Sequence, residues 1–173
     1  MKPSRVAIIT GAGSGIGCSI AVKFAKHGYR LVILGRRVNR LEETAQLCYK
    51  EGLQKEDILI QSCDVLIDSQ IEDVFNKTMQ KFERIDISVN NAGYAIGKHF
   101  NHSDIEDFDA MYRIHTRAPI KFMQLAYPFL KKTQGNIINI TSGASELTPR
   151  SDLSPYAVAK AGLNIATELA AKG

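Results

Sequence analysis

Five short segments rich in apolar residues recur along the chain, and the segments between them carry apolar residues at helical spacing. The runs cover residues 6–9, 31–34, 58–60, 85–89 and 136–140. The first three are continuous apolar runs, which are typical of parallel strands that are covered on both faces. Because parallel neighbours need crossover connections, which helices supply, the alternation predicts a doubly wound α/β parallel sheet.

Composition and charge narrow the class of protein further. The 173 residues are 45% hydrophobic and 23% charged, which suits one globular domain with its own core. The formal charge of +4 is dispersed along the chain, so nothing favours nucleic acid as a partner. No apolar run approaches the roughly 20 residues of a membrane helix, and the three cysteines lack disulfide or zinc-ligand spacing. We therefore expect a cytoplasmic protein with no membrane segment and no metal site.

A glycine-rich turn follows the first apolar run. Residues 10–17 read T-G-A-G-S-G-I-G and precede a segment with helical spacing. Such a turn lets the backbone approach a pyrophosphate, which the free N–H groups of the helix N-terminus then bind. The spacing G-x-x-x-G-x-G is neither a P-loop, since Gly17 precedes Cys18 instead of Lys, nor the G-x-G-x-x-G fingerprint. Taken alone, the turn is either a phosphate cradle or a structural bend.

Four motifs in this order resemble those of the short-chain dehydrogenase/reductase family. They are T-G-x-x-x-G-x-G at residues 10–17, Asn90-Asn91-Ala92-Gly93 after the fourth run, Ser142 after the fifth, and Tyr156-x-x-x-Lys160. The resemblance spans nearly the whole chain and implies a Rossmann-like fold. No sixth strand follows the helical segment that begins at Ser154. We therefore expect a single dinucleotide-binding domain over residues 1–173, incomplete after the fifth strand and its following helix, with the C-terminal strands and substrate-binding segment missing.

The resemblance implies catalytic roles for Ser142, Tyr156 and Lys160. Four residues apart in a helix, Tyr156 and Lys160 share a face, and a cation beside a phenol favours the ionised form. In the family, the tyrosine exchanges a proton with the substrate oxygen, the lysine also binds the nicotinamide ribose, and the serine holds the oxygen. The interval from Ser142 to Tyr156 is one residue longer than the family's commonest spacing, so Ser145 is a weaker candidate for the serine.

A long helical stretch, residues 103–132, departs from the family at His115, where an asparagine is usual. Pro119 has no N–H, so the carbonyl of His115 lacks a helical partner. In the family, that carbonyl holds a water linking the lysine to solvent, and we expect the water site to survive here. The alternative is a histidine packed at a helix kink. A many-fold rise in the turnover of a His115→Asn variant would show that the histidine impairs the relay.

Residues after the second and third strands bear on the choice of cofactor. Enzymes that prefer NAD usually place a carboxylate at the end of the second strand, where this chain has Gly35 followed by Arg36 and Arg37. Because a guanidinium binds a 2′-phosphate, we predict that the chain prefers NADP(H) to NAD(H), with Arg36 as the contact. The alternative is that both arginines only begin a solvated helix. The resemblance implies that the other cofactor-binding residues are Thr10, Gly11, Ser14, Gly15, Ile16, Gly17, Asp64, Asn91, Tyr156 and Lys160.

Two functions remain open on the sequence alone. The first is an NADPH-dependent oxidoreductase that moves hydride between nicotinamide and a small-molecule carbonyl or secondary alcohol at a Ser-Tyr-Lys site. The second is a shortened, noncatalytic nucleotide-binding or subunit-pairing module, because the fifth strand would expose an edge and the pocket would lack a wall. The resemblance also implies a homodimer or homotetramer for the full-length form.

Overall fold

The computed structural model describes residues 5–145 and 150–172. In that part of the chain five parallel strands form one sheet in the order β3-β2-β1-β4-β5. The strands are β1 (Val6–Thr10), β2 (Arg30–Gly35), β3 (Ile58–Ser62), β4 (Ile87–Asn90) and β5 (Asn136–Asn139). The prediction of a Rossmann-like, doubly wound parallel α/β sheet is confirmed.

Six α-helices belong to the described residues and supply the crossovers between the strands. They are α1 (Gly15–Lys26), α2 (Val38–Lys50), α3 (Asp68–Phe82), α4 (Ile105–Tyr112), α5 (Ala118–Thr133) and α6 (Ser154–Ala170). None of them has the length and apolar content that crossing a bilayer requires.

Two apolar cores lie on opposite faces of the sheet. On one face, Ala7 and Ile9 of β1 pack with α1 and α2; on the other, Val6 and Ile8 pack with α3 and α5. Successive side chains of a strand point to opposite faces, so every residue of β1 is buried by one helical layer or the other. This double burial explains why β1 reads as an unbroken apolar run.

The long helical stretch is interrupted at the position where the sequence lacks a backbone donor. α4 ends at Tyr112, and a π turn (Arg113–Arg117) precedes α5. The N–H of Ala118 bonds to the carbonyl of Arg113, five residues back instead of four. Because Pro119 has no N–H for the carbonyl of His115, the regular ladder cannot continue, and the extra residue is accommodated as a π turn.

The fourth strand begins at Ile87, two residues later than the apolar run suggested. Asp86 lies before it as a link to β1: its carboxylate accepts the N–H of Val6 (2.7 Å), and its own N–H bonds to the Val6 carbonyl (2.9 Å). Arg84 forms two hydrogen bonds with the same carboxylate. The run therefore contains a buried acidic anchor that precedes the ladder between β4 and β1.

Candidate active site

A cavity of about 560 Å³ lies at the carboxyl ends of the strands, beside the point where the strand order reverses between β1 and β4. Its walls come from the segments that follow each of the five strands, together with α6 and the π turn. Open α/β sheets bind ligands at this reversal point, and the volume falls within the usual range of small-molecule sites.

Most of the predicted site residues line this cavity. They are Gly11, Ser14, Ile16, Arg36, Asp64, Asn91, Tyr156 and Lys160. Thr10, Gly15, Gly17 and Ser142 are not among the lining residues. The structure therefore brings the glycine-rich turn and the Tyr/Lys helix to one cavity, although they are more than a hundred positions apart in the sequence.

The glycine-rich turn is held in a conformation that side chains would prevent. Gly11 has a φ of +66°, and a Cβ there would lie 2.8 Å from the Cα of Ala92. A Cβ on Gly17 would overlap the carbonyl of Gly11. α1 begins at Gly15, so the backbone N–H groups of its first turn have no helical acceptors and are available to an anionic ligand.

Thr10 and Asn91 support this turn from β1 and from the loop after β4. The hydroxyl of Thr10 accepts the N–H groups of Asn91 (2.9 Å) and Ala92 (3.0 Å). The side-chain amide of Asn91 donates to the carbonyls of Thr10 (3.0 Å) and Gly11 (3.3 Å). Thr10 therefore lies behind the cavity wall as a support, while Asn91 both supports the turn and lines the cavity.

Cationic side chains lie at the end of the cavity next to β2. Arg36, Arg37 and Arg40 all line it, and all three are exposed. Arg40 is paired with Glu43 (2.7 Å). Asp64 lines the cavity after β3, and its carboxylate accepts the N–H of Leu66 (3.0 Å).

At the other end, Tyr156, Lys160 and His115 form a cluster. The Lys160 ammonium lies 5.7 Å from the centre of the Tyr156 ring. The rings of His115 and Tyr156 are perpendicular, with their centres 4.9 Å apart. The ammonium therefore lies near the Tyr156 ring, and the imidazole is a third member of the group.

Burial changes the acid–base behaviour of two members of this cluster. Lys160 is 5% exposed, and desolvation lowers the pKa of its ammonium to about 8. Its Nζ donates to the carbonyl of Ile140 (2.5 Å), just beyond β5. His115 is 3% exposed, and desolvation lowers its pKa to about 4, so the imidazole is neutral at physiological pH.

Ser142 and Ser145 begin the segment that follows β5. The Ser142 hydroxyl accepts the N–H of Ala144 (3.2 Å). The Ser145 hydroxyl donates to the carbonyl of Ser142 (2.6 Å) and accepts the side-chain amide of Asn164 (3.1 Å). Asn164 belongs to α6, so this chain of hydrogen bonds ties the Ser142 turn to the helix that carries Tyr156 and Lys160.

Several lining residues lie outside the sequence prediction. Val65, Leu66, Tyr94 and Ala95 are apolar or aromatic neighbours of motif residues, and Ile114 precedes the unusual His115. The sequence indicated Val65, Leu66, Tyr94 and Ala95 as lining residues only through their adjacency to Asp64 and to Asn91. His99 and His102 have ring centres 6.3 Å apart, and no group of three or more metal-ligating side chains occurs in residues 5–145 and 150–172.

Comparisons with known proteins agree with this architecture. The family model for short chain dehydrogenases matches residues 5–173. An uncharacterized oxidoreductase of Staphylococcus epidermidis is 32% identical over 165 residues, covering 95% of this chain and 69% of that protein. The apo glucose dehydrogenase of Caenorhabditis elegans superposes with a TM-score of 0.90 at 36% identity, covering 99% of this chain and 69% of that one. L-Sorbose reductase of Gluconobacter frateurii, solved with NADPH and L-sorbose, gives a TM-score of 0.90 at 30% identity, covering 98% and 64%. The chain therefore belongs to the short-chain dehydrogenase/reductase family of oxidoreductases.

Proposed function

We propose that this chain carries the cofactor site and the catalytic residues of an NADPH-dependent oxidoreductase that interconverts a small-molecule carbonyl and a secondary alcohol. The observation that carries the proposal is the placement of Tyr156 and Lys160 on the wall of the same cavity as the glycine-rich turn. A glycine-rich turn and free helical N–H groups suit a pyrophosphate, and the three arginines beyond β2 suit an additional 2′-phosphate.

The residues have distinct roles in ketone reduction. When bound, NADPH supplies the hydride that the carbonyl carbon accepts. Tyr156 gives its phenolic proton to the carbonyl oxygen, which completes the alcohol. The ammonium of Lys160 favours the phenolate that remains and binds the nicotinamide ribose. Burial keeps this ammonium out of bulk water, where its electric field would be weaker.

Ser142 is the favoured donor to the substrate oxygen. Its hydroxyl accepts a backbone N–H, and no acceptor for its own proton occurs among the described residues. The proton of Ser145 is instead committed to the carbonyl of Ser142. This difference supports Ser142 over Ser145, and it gives Ser145 a supporting part in the turn.

The alternative, a noncatalytic nucleotide-binding module, has one observation in its favour. β5 pairs only with β4 within the described sheet, and Ile138 on this edge strand is 38% exposed. A wall of the cavity next to β5 would then be open, which permits cofactor binding without productive binding of a substrate.

Titration of the chain with NADPH and NADH, followed by assays of NADPH oxidation with a set of ketones, tests the proposal. We expect tighter binding of NADPH and measurable reduction. A Tyr156→Phe variant, which loses only the hydroxyl, should bind NADPH as the parent does and lose turnover. Binding without turnover in the parent would favour the noncatalytic module, and turnover in the Phe variant equal to the parent's would remove Tyr156 from the mechanism.

A further inference from the structure

His115 is the one buried histidine of the chain's four, since His27, His99 and His102 are exposed. It occupies the π turn between α4 and α5 and lines the cavity. A side chain with two polar nitrogens is costly to bury, so its contacts must account for its presence there.

The first contact fixes the tautomer of the ring. Nε2 of His115 lies 2.6 Å from the carbonyl oxygen of Tyr94. A carbonyl oxygen only accepts, so Nε2 carries the proton and donates it. Nδ1 is then an unprotonated acceptor; it is buried and has no partner among the described residues. Tyr94 lies in the loop after β4, and it also lines the cavity.

The second contact reaches the proposed proton donor. The His115 ring meets the Tyr156 ring in a perpendicular, edge-to-face arrangement with centres 4.9 Å apart. This geometry suits the charge distribution of aromatic rings and restricts how the phenol can tilt. The imidazole therefore lies between the Tyr94 loop and the phenol of α6.

The third contact explains why residue 93 is a glycine. A Cβ on Gly93 would overlap the Cε1 and Nδ1 atoms of His115. Gly93 has no positive φ, so its backbone conformation does not require glycine. Glycine is required there because the imidazole occupies the space that a side chain would fill. The imidazole therefore has Gly93, Tyr94 and Tyr156 as neighbours.

We propose that His115 is a positioning residue for Tyr156: its Nε2–H is anchored to the Tyr94 carbonyl, and its ring holds the phenol in the orientation that proton transfer needs. This inference rests on the proposed function. A neutral ring suits the role, because a second cation beside the Lys160 ammonium would be repelled, and burial keeps the ring neutral down to a pH of about 4.

Kinetics of a His115→Ala variant, with His27→Ala as the control on the surface, test the inference. We expect kcat to fall about 10-fold or more in His115→Ala while the NADPH Kd stays within about threefold, because only the orientation of the phenol is lost. The alkaline limb of the kcat profile should also move, because removal of the ring exposes the Lys160 ammonium, whose pKa is lowered by burial. An unchanged kcat and pH profile in the folded variant would reduce His115 to packing and overturn the inference.

A Gly93→Ala substitution supplies an independent check through the contact with the ring. Its Cβ should displace the imidazole and lower kcat, and the double variant with His115→Ala should fall no further than the worse single variant. Fully additive losses would show that Gly93 and His115 act separately, and would count against the inference.

A readout that does not need turnover keeps the two proposals distinguishable. The nitrogen chemical shifts of the His115 ring, assigned by their loss in His115→Ala, should show the Nε2–H tautomer and no titration near the usual histidine pKa. A proton on Nδ1, or an ordinary titration, would contradict the anchoring to Tyr94 even if the chain reduced ketones. Failure of the parent chain to bind NADPH would instead count against the proposed function.

Discussion

The hydroxyl of Thr44 donates a hydrogen bond to the carbonyl of Ala12 (2.9 Å), so α2 is tied directly to the glycine-rich turn. Both residues are buried. The N–H of Ala12 bonds in turn to the carbonyl of Leu34, at the end of β2. The glycine-rich turn and the segment that carries Arg36 are therefore connected through Ala12, and a disturbance of one is transmitted to the other.

A Thr44→Val substitution should loosen this connection. Valine keeps the shape and leaves the buried Ala12 carbonyl without its donor, which costs about 1–3 kcal/mol. We expect a lower free energy of unfolding and an NADPH Kd raised about 3- to 10-fold, measured by denaturant unfolding and fluorescence titration. Thr44→Ser, which keeps the hydroxyl, should retain most of the cofactor affinity. If the valine variant matched the parent in both measurements, the tie would have no energetic role.

An Arg36→Asp substitution should reverse part of the proposed preference for NADPH. A carboxylate there repels a 2′-phosphate and accepts the ribose 2′-hydroxyl of NADH. We expect the NADPH Kd to rise about 30-fold or more, equivalent to about 2 kcal/mol, with little change for NADH.

The matched control is Lys23→Asp, which makes the same change of charge on an exposed position of α1 that does not line the cavity. It should affect NADPH weakly, because exposed charges at a distance are screened by salt. Equal losses of NADPH and NADH affinity in Arg36→Asp would contradict a specific contact with the 2′-phosphate.

The strands and most helices were predictable because their burial is recorded in local patterns. β1 and β2 are covered on both faces and so read as apolar runs. α6 could be placed from Ser154 onward. The approach of Lys160 to Tyr156 followed from a spacing of four within one helix. The cytoplasmic location and the oligomeric state remain predictions.

The features that the sequence did not indicate depend on contacts between distant segments of the chain. Thr44 reads as an ordinary helical threonine until Ala12 is placed beside it. His115 and Pro119 predicted a disturbed helix, but the anchoring of the ring on Tyr94 depends on how the loop after β4 folds back. The late start of β4 has the same origin, because Asp86 becomes an anchor only once β1 lies beside it.

Lys160→Met should make the chain more stable and inactive. The fall in the pKa of the ammonium from 10.5 to about 8 corresponds to about 3 kcal/mol between the two protonation states. Methionine removes that desolvation cost but also the hydrogen bond to Ile140, so we expect a net gain of about 1–2 kcal/mol in the free energy of unfolding. Lys23→Met, at an exposed position, should be nearly neutral. A marked loss of stability in Lys160→Met would show that the bond to Ile140 outweighs the desolvation.

The same pKa predicts a pH dependence on the alkaline side. The folded chain releases the Lys160 proton near pH 8, whereas the unfolded chain holds it up to 10.5, so the unfolded state binds more protons between these values. The free energy of unfolding should therefore rise with pH through this window in the parent, and the rise should be smaller in Lys160→Met. Denaturant unfolding at several pH values measures the difference in slope.

The lowered pKa of His115 predicts that the free energy of unfolding falls in acid. The unfolded chain takes up this proton near the ordinary histidine pKa of 6.5, while the folded chain takes it up only near 4. The free energy of unfolding should thus fall by about 2 kcal/mol between about pH 8 and about pH 5 because of this one group.

His115→Asn should lack that part of the fall, whereas His27→Asn, at an exposed histidine, should retain it. The carboxylates whose pKa is lowered by ion pairs, such as Asp68 and Asp107, are the same in both variants, so the difference between the two slopes isolates the buried imidazole. Parallel slopes in the two variants would mean that the His115 ring titrates normally and is not buried as a neutral group.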